Sequence, residues 1–178
     1  TDDFGYSVSI RHSITIVDTS FPIIAAPSDL QIEAVHIENN IIDLMGVRVS
    51  DQVEVSNITN DAPETFPLGE TLVTWTATDS SGNSASAAQI ISVIDTTLPT
   101  ISPPSNIEVE ATSMESTLVD YGFAEASDQV EVSNITNDAP ETFPLGETIV
   151  TWTATDSSGN SASATPVSYT HLTLPTKA

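Results

Sequence analysis

One block of sequence limits what this chain can fold into. SDQVEVSNITNDAPETFPLGETLVTWTATDSSGNSASA at 50–87 recurs at 127–164 with one change in 38 positions, Leu72 becoming Ile149. The offset is 77 residues, and it also aligns 18–34 with 95–111. Between 18–49 and 95–126 the match loosens to 10 of 32 positions, but the apolar pattern persists. Taken backwards, the offset sets 1–17 against 78–94, with Thr1, Asp2, Gly5, Ser7, Ser9 and Ile14 shared. A fixed period of this size means a unit that folds and is then repeated. The period predicts a C-terminal remnant of one repeat at 1–17, a complete repeat at 18–94, and a second at 95–166 lacking its last strand.

Each unit reads as β. In LQIEAV, Leu30, Ile32 and Ala34 alternate with Gln31 and Glu33, the period of a half-buried strand. In ETLVTWTATD, Val73, Trp75 and Ala77 share one face and Thr74, Thr76 and Thr78 the other. VEVSNIT at 53–59 and AAQIISVI at 87–94 are further β-branched runs. Pro-, Gly- and Asn-rich breakers separate them, and nowhere do apolar residues hold a helical spacing for helix length. Short strands broken by such turns predict a small β-sandwich per repeat.

Charge narrows the function. Twenty-five Asp and Glu face three Lys and Arg, a formal net charge of −22. Such a surface repels phosphate, which argues against nucleic acid and anionic membrane as partners and leaves cations, proteins and neutral glycans. There is no Cys, hence no disulfide frame or thiol chemistry. No apolar run approaches the ~20 residues of a membrane-spanning helix.

The motifs now carry a resemblance. The Asp18-Thr19-Ser20-Phe21-Pro22 and Asp95-Thr96-Thr97-Leu98-Pro99 openings, the IEA or VEA strand, the FPLGET turn and TWTATDSSGN occur in this order in both repeats. Over about 1–165 the chain resembles tandem hyalin repeat (HYR) domains, immunoglobulin-like extracellular modules. The resemblance implies all-β, tandem immunoglobulin-like sandwiches at the cell surface or outside the cell, with roles in adhesion and matrix or surface-layer assembly. It implies no enzymatic activity and no obligatory cofactor. The expected function is that of structural and adhesive spacers, whose partners are other extracellular proteins or glycans and neighbouring repeats. Two alternatives stand beside it: accessory modules of a secreted enzyme such as a glycan hydrolase, and direct glycan binding. The last requires exposed aromatics, for which Phe66, Phe143 and Tyr121 are the candidates.

Trp75 and Trp152 read as sandwich core. His12, His36 and His171 share no pattern, and Ser113 replaces His36 in the next repeat. No nucleophile elbow, zinc spacing or phosphate loop is present, and DSSGN reads first as a turn. Calcium at the joint between repeats is the sharper expectation. If the poles of two sandwiches meet there, Asp61, Glu64, Asp95, Asp156 and Asn160 converge and supply hard oxygen ligands. Asn57-Ile58-Thr59 and Asn134-Ile135-Thr136 are N-glycosylation sequons, paired because the block is duplicated.

At 165 the match stops. The offset calls for a closing strand like QIISVID at 166–172, where the chain has PVSYTHL. The string VSYTHLTLPT resembles the translated read-through of a transposase sequencing adapter, so 167–178 is expected to be a non-native tail on a metagenomic fragment. The second sandwich then lacks its last strand while 7–17 is a last strand without a sandwich, and either 7–17 or the tail is free to fill the gap.

Overall fold

The computed structural model describes residues 3–5, 8–114 and 116–166; the tail at 167–178, with His171, lies outside the described residues. The alternating runs become strands: β1 (Ile23–Ala25), β2 (Leu30–Glu33), β3 (Arg48–Ser50), β4 (Val55–Asn60), β5 (Gly69–Asp79) and β6 (Ser84–Ile94). The second repeat contributes β7 (Thr100–Ser102), β8 (Glu125–Ser127), β9 (Val132–Asn137), β10 (Trp152–Asp156) and β11 (Ser161–Ala164). The fold is all-β, as tandem immunoglobulin-like sandwiches require. The pairs β1–β3 and β7–β8 are short two-stranded sheets; the larger sheets run β2-β6-β5-β4 and β11-β10-β9.

The chain divides into two compact units, one of Thr1–Ser28, Leu44–Ala62 and Leu72–Ile90, the other of Asp29–Asp43, Pro63–Thr71 and Ile91–Ala178. In the first, β1 and β3 pair antiparallel, Ile24 opposite Val49, and β4 pairs antiparallel with β5 from Val55–Asp79 to Asn60–Trp75. Alternation along β5 buries Val73, Trp75 and Ala77, each burying apolar surface worth about 1–3 kcal/mol. On the opposite face, Thr76 and Thr78 exchange hydroxyl hydrogen bonds with Ser86 and Ser84 at 3.0 and 2.9 Å. The Trp75 indole donates to Gln89 Oε1 at 3.1 Å, and Gln89 Nε2 donates to the Ser28 carbonyl at 2.9 Å. One glutamine thereby satisfies an indole and a loop carbonyl.

In the second unit, β2 runs parallel to the end of β6, Leu30 opposite Ile91. Phe66 is buried beside Asn40, whose amide donates to the Phe66 and His36 carbonyls and whose oxygen accepts from the Val35 and His36 N–H groups. Thr117 takes that place against Phe143, where the two residues form the equivalent bridge. The core of the second repeat is Ala124, Phe143, Val150 and Trp152, with Ile101, Val119, Tyr121 and Ala139 packed on it.

The two copies then diverge. β6 runs eleven residues but β11 only four, and 107–110, the counterpart of β2, forms no strand. Pro166 stands where the first repeat has Gln89, and proline brings neither a ladder N–H nor an acceptor for the indole. Trp152 Nε1 is accordingly buried with no partner among the described residues. A cavity of about 20 Å³ opens beside it, lined by Val119, Tyr121, Phe143, Val150, Trp152 and Pro166 among others. Residues 8–17 form no strand and lie exposed, Ile14 and Ile16 included. A strand needs a neighbouring ladder to satisfy its backbone, and this segment has none.

Candidate metal centre

Six aspartates fall in two sets one period apart, five of them at the ends of strands. Asp51 and Asp128 directly follow β3 and β8, and Asp79 and Asp156 end β5 and β10. Asp18 and Asp95 open the two repeats, Asp95 directly after β6. Asp18, Asp51 and Asp79 each bring one carboxylate oxygen within 4.8 Å of the others, and Asp95, Asp128 and Asp156 do the same. Each set lies within a single compact unit.

Local sequence fixes each side chain. At the DSSGN turn Asp79 Oδ1 accepts from the Ser81 and Asn83 N–H groups, both at 2.8 Å, while Asn83 Nδ2 donates to Oδ2 at 2.7 Å. Asp156 repeats this with Ser158 and Asn160. The turn needs a left-handed residue, supplied by Gly82 at φ 93° and Gly159 at φ 91°. Burial pushes both carboxyls up, but donation from the asparagine side chain and the turn N–H groups outweighs it and holds them below the ordinary carboxylate range. Both are therefore ionised at neutral pH.

The same asparagines reach across the site. Asn83 Nδ2 lies 3.3 Å from the Asp18 carbonyl and Asn160 Nδ2 lies 3.0 Å from that of Asp95. Asp18 Oδ1 accepts from the Ser20 N–H at 3.0 Å and from its hydroxyl; Asp95 Oδ1 accepts from the Thr97 N–H at 3.1 Å and Oδ2 from the Ser158 hydroxyl at 3.0 Å. Asp51 Oδ2 takes the Val53 N–H at 3.1 Å and Asp128 Oδ1 the Val130 N–H at 2.8 Å. What remains are Asp18 Oδ2, Asp51 Oδ1 and Asp128 Oδ2. Each has under 1 Å² of exposed surface and no hydrogen-bond donor among the described residues.

Of the five residues expected to converge at the joint, the structure brings some together and not others. Asp95 and Asp156 come together, with Asn160 donating to both residues. Asp61 and Glu64 belong to neither triad. Asp61 pins a ladder instead, accepting the Thr74 N–H at 2.6 Å, as Asp138 accepts that of Thr151. Sequence reasoning missed Asp18, Asp51, Asp79 and Asp128. The signal was present, since each triad maps onto the other at the 77-residue offset. Without strand pairings, however, nothing joins residues 33 and 28 positions apart. His12 and His36 are in neither group.

The other expectations have definite places. Asn57 and Asn134 are exposed, on β4 and β9 at the edges of their sheets. Of the aromatics considered for glycan binding, Phe66 and Phe143 are core residues. Tyr121 packs edge-on against Phe143 and Trp152, with ring centroids 5.8 and 5.9 Å apart.

Tandem immunoglobulin-like sandwiches, acidic throughout and repeated with their aspartate triads, define a modular protein built from a duplicated β-domain. The HYR domain family model matches residues 17–93 and again 94–167, and the chain belongs to that family. Hyalin from Strongylocentrotus purpuratus is 32% identical over 171 residues, covering 89% of this chain and 14% of hyalin. Hyalin from Lytechinus variegatus is 40% identical over 114 residues, 60% of this chain and 22% of its own length. The Rattus norvegicus Sushi, von Willebrand factor type A, EGF and pentraxin domain-containing protein 1 is 42% identical over 102 residues, 55% of this chain and 3% of that protein. The chain thus spans under a quarter of the length of each of these relatives. Its place is extracellular or at the cell surface, and no helix among the described residues is long and apolar enough to cross a membrane.

Proposed function

We propose that this chain is a spacing segment: HYR modules joined end to end that hold the flanking parts of an extracellular adhesion-type protein at a set separation, without catalysis of their own. The carrying observation is the joint. Between the end of β6 at Ile94 and the start of β7 at Thr100 lie five residues, and the first three are tied down. Asp95 is held in its triad. Glu33 accepts from the Thr96 N–H at 2.6 Å and from the Thr96 and Thr97 hydroxyls at 3.0 Å each. Pro99 then restricts its own φ and keeps Leu98 extended. A linker with this much side-chain bonding gives up the freedom that makes Gly/Ser linkers coil.

The partners in this reading are other extracellular proteins or glycans met by flanking domains, together with adjoining repeats. The chain has no native cysteine, so Gln52→Cys and Gln129→Cys, both at exposed positions, take spin labels cleanly. Pulsed dipolar spectroscopy is expected to give one narrow distance distribution, widened by Glu33→Ala. A broad distribution in the unmutated background, like that of a flexible linker, overturns the spacer role.

A further inference from the structure

We propose that each repeat binds one Ca²⁺ ion in its aspartate triad, Asp18/Asp51/Asp79 in the first and Asp95/Asp128/Asp156 in the second. The starting point is an imbalance of charge. Three carboxylates whose oxygens lie within 4.8 Å of one another repel, and the whole chain holds only three Lys and Arg. Exposed acidic clusters tolerate this because water screens them. These do not have that relief, for Asp79, Asp95 and Asp156 are buried.

A second observation points to a ligand. Asp18 Oδ2, Asp51 Oδ1 and Asp128 Oδ2 each have under 1 Å² of exposed surface and no donor among the described residues. A buried carboxylate oxygen left unpaired is among the costliest polar groups a fold can contain. The same defect appears in both repeats at equivalent positions, Asp51 and Asp128, so it is a property of the module. The partnered oxygens meanwhile hold each carboxylate in place through local donors, and within each triad one oxygen of every aspartate lies within 4.8 Å of the others. A cation there removes both the repulsion and the missing partner.

The donor set selects the ion. All ligands are oxygens with no His or Cys, which disfavours zinc and other borderline or soft metals. Ca²⁺ takes 6–8 oxygens at about 2.3–2.6 Å, so oxygens across the ion lie about 4.6–5.2 Å apart, the scale of these triads. Mg²⁺ demands a tighter octahedron and keeps its waters, and three carboxylates on one ion suit it poorly. Backbone carbonyls and waters complete the shell. Calcium sites in extracellular modules generally have a Kd of about 0.1–1 mM.

The test uses the full chain after chelator treatment, titrated with CaCl₂ by isothermal calorimetry and followed by thermal melting, with MgCl₂ in parallel. Two ions per chain and a rise in Tm are expected with calcium, and a much smaller response with magnesium. Asp51→Asn and Asp128→Asn are each expected to lower the stoichiometry by one, and the double variant to abolish binding. Asparagine keeps an oxygen to accept the Val53 or Val130 N–H, and far-UV circular dichroism of the calcium-free variants checks that they fold. If a variant does not fold, Asp18→Asn and Asp95→Asn replace it. No binding up to about 10 mM calcium, an equal response to magnesium, or two ions still held by a folded double variant each overturns the proposal. Because none of these readouts depends on the distance between repeats, its failure is distinct from failure of the spacer reading.

Discussion

One residue separates the surroundings of the two core tryptophans. Gln89 gives the Trp75 indole an acceptor and occupies the Ser28 carbonyl; Pro166, its counterpart, leaves the Trp152 indole alone. Replacing Gln89 with Ala strands a buried donor, and is expected to destabilise the first repeat by about 1–3 kcal/mol in urea unfolding. Pro166→Gln in the second repeat tests the converse, with a smaller gain. The sequence made the tryptophans legible as core from their alternation with threonine, but it gave no hint of the glutamine. An amide beside an indole 14 residues away becomes visible only when the strands pair. Glu33 carries a second prediction. The Thr96 N–H above all, with the Thr96 and Thr97 hydroxyls, outweighs the cost of desolvation and holds the exposed Glu33 carboxyl below the usual range. A depressed folded value stabilises above the unfolded value of about 4.3, and the contribution is lost as pH falls through the folded value. Tm is therefore expected to fall on acidification from about pH 5 to pH 3, and less steeply in Glu33→Gln.

At the level of strands, the long alternating runs were readable and the short ones were not. β2, β4, β5 and the second half of β6 fall on the runs LQIEAV, VEVSNIT, ETLVTWTATD and AAQIISVI, which carry alternation or β-branched residues. β1 and β3 are three residues each, too short for a period to register. The register shifts between Val55 and Asn57 and between Thr155 and Asp156 were equally hidden. Ser56 fills the first, donating to the Thr78 and Asp79 carbonyls at 3.0 and 2.7 Å, and Ser133 does so in the second. Both irregularities lie beside Asp79 and Asp156, so part of the candidate metal centre was illegible for the same reason. The turn that follows is testable. Gly82 lies at φ 93° with open space where a Cβ would go, so Gly82→Ala costs backbone strain alone, about 1–2 kcal/mol by denaturant unfolding.

For the whole molecule, charge dominates. A net charge of −22 on 178 residues makes the folded chain repel itself, and added salt shortens the reach of that repulsion to about 8 Å at physiological strength. Tm is expected to rise between 20 mM and 500 mM NaCl, and differential scanning calorimetry measures it. The duplication described at the outset has a further consequence, for folding kinetics. β4 and β9 are both VSNITN, and the TWTATD of β5 recurs around β10. During refolding, β9 finds on β5 every partner that β4 finds there, so local pairing energy does not choose between them. Only the shorter loop that β4 has to close favours the correct match. The chain therefore carries its own competitor, and adjacent near-identical repeats exchange strands as they fold.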